Sequence, residues 1–150
     1  ELGQSIGSCT KLQELTLLFK DNKVTGDLHE LGQSVGRCTL LQELRLSFGN
    51  GTINGDLHQL GQSIGRCTQL QTLMLFFEKN NISGDLHELG QSIGGCTKLQ
   101  KLWLDFKDTW VTASAVRRAW TGRVPRCRIF GRLSFDEGDI AIWDLRQPAC

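Results

Sequence analysis

Three kinds of reactive side chain recur along this sequence at a fixed interval. Ser5, Ser34, Ser63 and Ser92 each sit in a phrase GQSIG or GQSVG, which matches the G-x-S-x-G pattern of a hydrolase nucleophile elbow. That chemistry needs one serine on a sharp strand-to-helix turn, with a base and an acid within reach. Four copies inside a helical pattern, with no converging His and acid, favour a structural role. His29, His58 and His87 form a second column. Neighbouring helices lie roughly 8–10 Å apart and a metal–nitrogen bond spans about 2 Å, so successive histidines are poorly placed to share an ion. A row of exposed histidines on an outer helical face is expected, with no metal and no other cofactor. The third column is Cys9, Cys38, Cys67 and Cys96, one every 29 residues. At a strand edge such residues would approach the roughly 4.4–6.8 Å between Cα atoms that a disulfide needs. One small buried thiol per repeat is the favoured reading, and with it a reducing compartment. Cys127 and Cys150 stand outside the column.

The interval belongs to the whole sequence, not to its reactive residues alone. LGQSIGSCT, LGQSVGRCT, LGQSIGRCT and LGQSIGGCT open at Leu2, Leu31, Leu60 and Leu89, each followed by KLQELTLLF, LLQELRLSF, QLQTLMLFF or KLQKLWLDF. Leu15, Leu17 and Phe19, and their counterparts in each copy, alternate with period two, which predicts a strand. Leu28, Leu31 and Val35 fall at i, i+3 and i+7, one face of a helix. Thr25, Asn54 or Ser83 is expected to cap that helix, with Asp27, Asp56 or Asp85 in its first turn. One strand and one helix per period bury too little alone, and stacking neighbours pairs the strands and packs the helices outside them.

At this point the chain resembles a leucine-rich-repeat protein: LxxLxLxF, then Asn, then Val or Ile, then a helix. The 29-residue period and long helical segment are similar to the ribonuclease-inhibitor-like subclass, over about residues 1–116. The resemblance implies an α/β fold, a right-handed solenoid bent into a horseshoe arc, with an inner parallel β-sheet and outer helices. It also implies a protein-binding role on the concave face. The family's loop Asn is present as Asn22 and Asn80 but is Gly51 and Thr109 in the other copies, and the preceding segment is two residues longer than the family's. Shorter receptor-type repeats of about 24 residues share the SGDLHELGQSIGGCTKLQ phrasing but usually carry Pro, absent from the four repeats here.

Two domains are expected: four repeats over 1–116, a fragment of a longer array that continues upstream, and a divergent Arg-rich cap or tail over 117–150. In the latter, Arg118 falls where other copies have Leu, and RIFGRLSF and IAIWDL form a hairpin around DEGD. The arginine cluster lacks the interleaved aromatics of a nucleic-acid motif, and a solvated surface is its default. The net charge of +1 gives no reason to expect nucleic acid, and no apolar run approaches the ~20 residues of a membrane span.

Recognition is expected where the copies differ. Strand side chains alternate, so residues between the buried leucines point away from the helices. These are Glu14, Thr16 and Leu18; Glu43, Arg45 and Ser47; Thr72, Met74 and Phe76; Lys101, Trp103 and Asp105. Two of the columns differ in every copy, whereas outward helix positions such as Gln4, Gln33, Gln62 and Gln91 are uniform. Met74, Phe76 and Trp103 would form an apolar patch with Glu14, Glu43, Arg45, Lys101 and Asp105 as a polar rim. The expectation is a monomeric, non-enzymatic protein-binding module in the cytoplasm. The alternatives are a structural spacer array and an extracellular receptor region. Glycans at Asn50 or Asn81, each in an Asn-x-Ser/Thr triplet, would point to the last.

Overall fold

A computed structural model describes residues 2–19, 28–50, 53–55, 57–82, 86–120 and 128–133. In chain order the elements are α1 (Leu2–Ser8), β1 (Glu14–Leu18), α2 (His29–Val35), β2 (Glu43–Ser47), β3 (Asn54–Gly55), α3 (His58–Ile64), β4 (Thr72–Phe76), β5 (Asn81–Ile82), α4 (His87–Ile93), β6 (Lys101–Phe106), α5 (Ala113–Trp120) and β7 (Arg128–Leu133). The long strands form one five-stranded, all-parallel sheet in the order β1-β2-β4-β6-β7, and β3 pairs with β5 in a second, two-residue parallel ladder. Repeating β–α units thus stack side by side, an architecture consistent with the leucine-rich-repeat resemblance.

Pairing follows the period. Leu15, Leu44, Leu73 and Leu102 lie in register across four strands, as do Leu17, Leu46, Leu75 and Leu104. Both rows turn into one core with Val35, Leu60, Ile64, Leu89 and Ile93 of the helices. Phe19, Phe48, Phe77 and Phe106 follow the strands and stack as a continuous aromatic column, with centroids 5.3, 5.5 and 5.8 Å apart and planes within 12°. A parallel sheet sets like residues side by side, and offset ring stacking at this spacing is favourable.

The GQSIG phrase proves to be a packing seam. A methyl group at Gly65 would lie 2.6 Å from the Ser92 carbonyl oxygen, and one at Gly36 would lie 3.0 Å from that of Ser63. One at Gly90 would collide with the Ala119 carbonyl oxygen. Glycine therefore lets neighbouring helices approach closely. The buried Ser34 hydroxyl donates to the Glu30 carbonyl of its own helix at 2.9 Å. Repetition of the phrase reflects repetition of this contact.

The cysteine column lies in the same seam. Cys38, Cys67 and Cys96 are buried free thiols that donate to the carbonyls of Ile6, Val35 and Ile64 on the preceding unit, each at 3.5 Å. Cys9, at the first unit, is exposed. Burial pushes the Cys67 thiol up to about 12, helped by Cys96 and Cys38, and the Cys96 thiol up to about 11. Neutral thiols are poor nucleophiles. In the native chain at pH 8, a thiol reagent should label Cys9 rapidly, and Cys38, Cys67 and Cys96 only on unfolding. Peptide mapping of the labelled protein checks this. The unfolded chain ionises these thiols first, so stability held below the ordinary value of 9.0 should fall as pH rises from there towards 12.

Helix starts differ from expectation. Helices α2, α3 and α4 follow Leu28, Leu57 and Leu86, and no side-chain cap bonds them. Asn54 does not cap α3: it pairs with Asn81 in the β3–β5 ladder, because the loop backbone satisfies itself against the next unit. Thr25, Ser83, Asp27, Asp56 and Asp85 lie outside the described residues. Thr112 does act as a cap, its hydroxyl accepting the Ala115 N–H at 3.2 Å.

The chain after Val111 carries a further unit out of phase. Lys101 pairs with Arg128, 27 positions on, where the earlier strands pair at intervals of 29. Val111 still matches buried Ile82 at the old interval, so two residues are lost between it and α5. Val116 and Trp120 take the buried places of Leu89 and Ile93, which leaves Arg118 exposed. Helix α5 crosses the 116/117 boundary and β7 extends the sheet from the Arg-rich segment. The second arm of the expected hairpin lies outside the described residues.

Candidate functional site

The sheet has one face against the helices and one open face. On the open face the register sets three rows. Glu14, Glu43, Thr72 and Lys101 occupy the strand starts; Thr16, Arg45, Met74 and Trp103 the middles; Leu18, Ser47, Phe76 and Asp105 the ends. The parallel pairing that aligns the core leucines necessarily aligns the intervening residues.

Met74, Phe76 and Trp103 come together as expected. Met74 is in register with Trp103 and shares β4 with Phe76, and all three are half-buried. The Arg45 guanidinium lies over the Phe76 ring, 5.1 Å from its centroid. Such a contact fixes a long cationic side chain against an aromatic face while its edge stays available to a partner. Glu14, Thr16 and Lys101 are exposed, and Glu43, Ser47 and Thr72 half-exposed.

Two expected members are not part of this patch. Asp105 is 2% exposed, and its carboxylate accepts the Lys107 N–H at 3.1 Å. Strand β7 runs beside it, with Arg132 in register, so the position expected on a polar rim is covered. Leu18 is 59% exposed but stands on β1, two strands from Phe76. Conversely, Arg128, Phe130 and Arg132 take the register places next to Lys101, Trp103 and Asp105. Their signal is the phrase RIFGRL, displaced by the two missing residues. Trp110, 76% exposed, follows β6, and its backbone N–H donates to the Ile82 carbonyl.

The other reactive columns do not converge on the open face. His29 and His58 each meet the side chain four residues on, Gln33 or Gln62, at 2.9 Å between nitrogens. His58 also stands 3.4 Å from the Glu88 carboxylate of the next helix. This pairing gives a physical reason for the uniformity of the outward His and Gln positions. Among the described residues no group of three His, Cys, Asp or Glu could hold a metal ion. No helix among them is long and apolar enough to cross a membrane.

The loop asparagine behaves as a linker between units. Asn80 is buried; its Oδ1 accepts the Ile53 N–H at 3.1 Å, and its Nδ2 donates to the carbonyls of Phe48 and Glu78. Thr109, at the same place in the next unit, bonds among the described residues only within that unit, to Phe106 and Val111. Set against models of protein families and against curated proteins, the chain matches no family model and no curated protein.

Proposed function

We propose that this chain is a recognition module of the leucine-rich-repeat type, closest in design to the ribonuclease-inhibitor-like subclass. Its units form a right-handed solenoid whose open sheet face is the concave wall of a horseshoe arc, and a protein partner binds there. The Asn80 bridge, the 29-residue strand-to-strand register and the aromatic column support the repeat type. The module acts without catalysis or cofactor, as a monomer in a reducing, cytoplasmic setting, which the buried thiols support.

One observation carries the functional reading: Met74, Phe76 and Trp103 are large apolar groups left half-exposed on the face where the units differ most. Large aromatics set among polar neighbours are the usual anchors of protein interfaces. The chain carrying Phe76→Ala and Trp103→Ala should therefore lose a partner that the unaltered chain retains in affinity capture. Its melting temperature should stay nearly unchanged, because neither side chain belongs to the core. Equal capture by both chains would refute the reading.

A further inference from the structure

The open face is electrically polar along the stacking direction. At the strand starts the row runs Glu14, Glu43, Thr72, Lys101: acid, acid, neutral, base. Glu14, Glu43 and Lys101 have no charged partner among the described residues. Arg45 is the one cation among the acidic strands, and its guanidinium leans over Phe76 at the strand ends, away from this row. Beside the basic end lies a hollow of about 250 Å³ lined by Gln71, Thr97, Lys98, Leu99 and Gln100, with room for a polar side chain. Lys11 occupies the corresponding turn of the first unit, so the polarity resides in the strand row itself.

We infer that the occupant of this face is an extended peptide segment of the partner, lying across the strands, basic towards β1 and β2, apolar over Met74 and Trp103, and acidic towards β6. This inference rests on the recognition role proposed above. Strands lie about 4.8 Å apart, so Glu14 and Lys101 are separated by roughly 14 Å, the length of four or five extended residues. Such a segment pairs each unmatched charge and covers the apolar middle in one pass. A segment of uniform charge is repelled at one end, and like-charge juxtaposition is a strong discriminator at interfaces.

The test uses the 150-residue chain and three synthetic peptides of equal length sharing a Leu-Phe-Leu centre. One carries Arg-Arg at one end and Glu-Glu at the other, one Arg-Arg at both ends, and one Glu-Glu at both. By fluorescence anisotropy at low ionic strength, the dipolar peptide should bind about tenfold more tightly than either of the others, and the difference should shrink in high salt. The chain carrying Glu14→Lys and Glu43→Lys should instead prefer the peptide with Glu-Glu at both ends. Equal affinity for all three peptides, abolished by Trp103→Ala, would leave recognition on this face standing and overturn its polarity. No binding by any peptide would overturn the peptide-segment inference, while capture of a folded partner sensitive to Phe76→Ala and Trp103→Ala would still uphold the recognition role. Salt-sensitive dimerisation in sedimentation would make the occupant a second copy, and overturn the inference likewise.

Discussion

Phe77→Ala is expected to lower the stability of the chain by about 3–5 kcal/mol, the range for emptying a large aromatic site in a packed core. Phe77 is fully buried between the rings of Phe48 and Phe106, 5.5 and 5.8 Å away. Its removal takes away its own burial and interrupts the column at the middle of the stack. Backbone bonding is untouched, since the Phe77 N–H to Asp105 carbonyl link needs no side chain. In a stacked array each unit is stabilised chiefly by its neighbours, so a cavity here weakens two interfaces at once. Denaturant unfolding should show a lower midpoint, and a shallower slope if the two halves uncouple. Phe19→Ala gives the comparison. Phe19 is only half-buried and has one ring neighbour in the column, so its loss should cost clearly less. Equal losses at the two sites would contradict the column as a cooperative element.

Strand register was legible in the sequence because it depends on one number. An unbroken period of 29 places Leu44 beside Leu73 and Arg45 beside Met74 without any knowledge of loops. The same period located the apolar patch at Met74, Phe76 and Trp103. What the sequence concealed lies where that number changes or where a neighbour decides burial. Loss of two residues after Val111 shifts RIFGRL out of phase, so the fifth strand reads as one arm of a hairpin in a divergent cap or tail and not as the next member of the parallel sheet. Asp105 was assigned to the rim because alternation points it outward, and only the strand beside it shows that it is covered. Repetition of GQSIG already favours a structural role over a reactive turn, but the close helix–helix approach that its glycines permit leaves no periodic mark of its own. Helix caps were placed too early in the chain, since a polar residue that pairs with the next loop, as Asn54 does, has the same composition as one that caps.

Asn80 offers the second large effect, and it arises from polarity instead of volume. This side chain is 3% exposed and satisfies three backbone groups: the Ile53 N–H, the Phe48 carbonyl and the Glu78 carbonyl. Two of these belong to the preceding unit, so the amide joins one loop to the next. Truncation in Asn80→Ala leaves buried groups without their partner, at about 1–3 kcal/mol for each one that water cannot reach. A loss of about 3 kcal/mol is expected in denaturant unfolding, with faster amide exchange at Ile53. Asn80→Asp separates the donor from the acceptor. An ionised carboxylate still accepts from Ile53 but faces two carbonyl oxygens with nothing to donate, so at neutral pH it should destabilise at least as much as alanine. Burial and those carbonyls raise the acid's pKa in the folded chain above its unfolded value. Stability should therefore be recovered in part below the unfolded value, where the protonated acid donates again, and lost as pH rises through the folded one. A charge-independent loss in both variants would reduce Asn80 to a space-filling residue. Thr109→Ala, which breaks bonds within one unit only, should cost about 1 kcal/mol and leave the exchange at Ile53 unchanged.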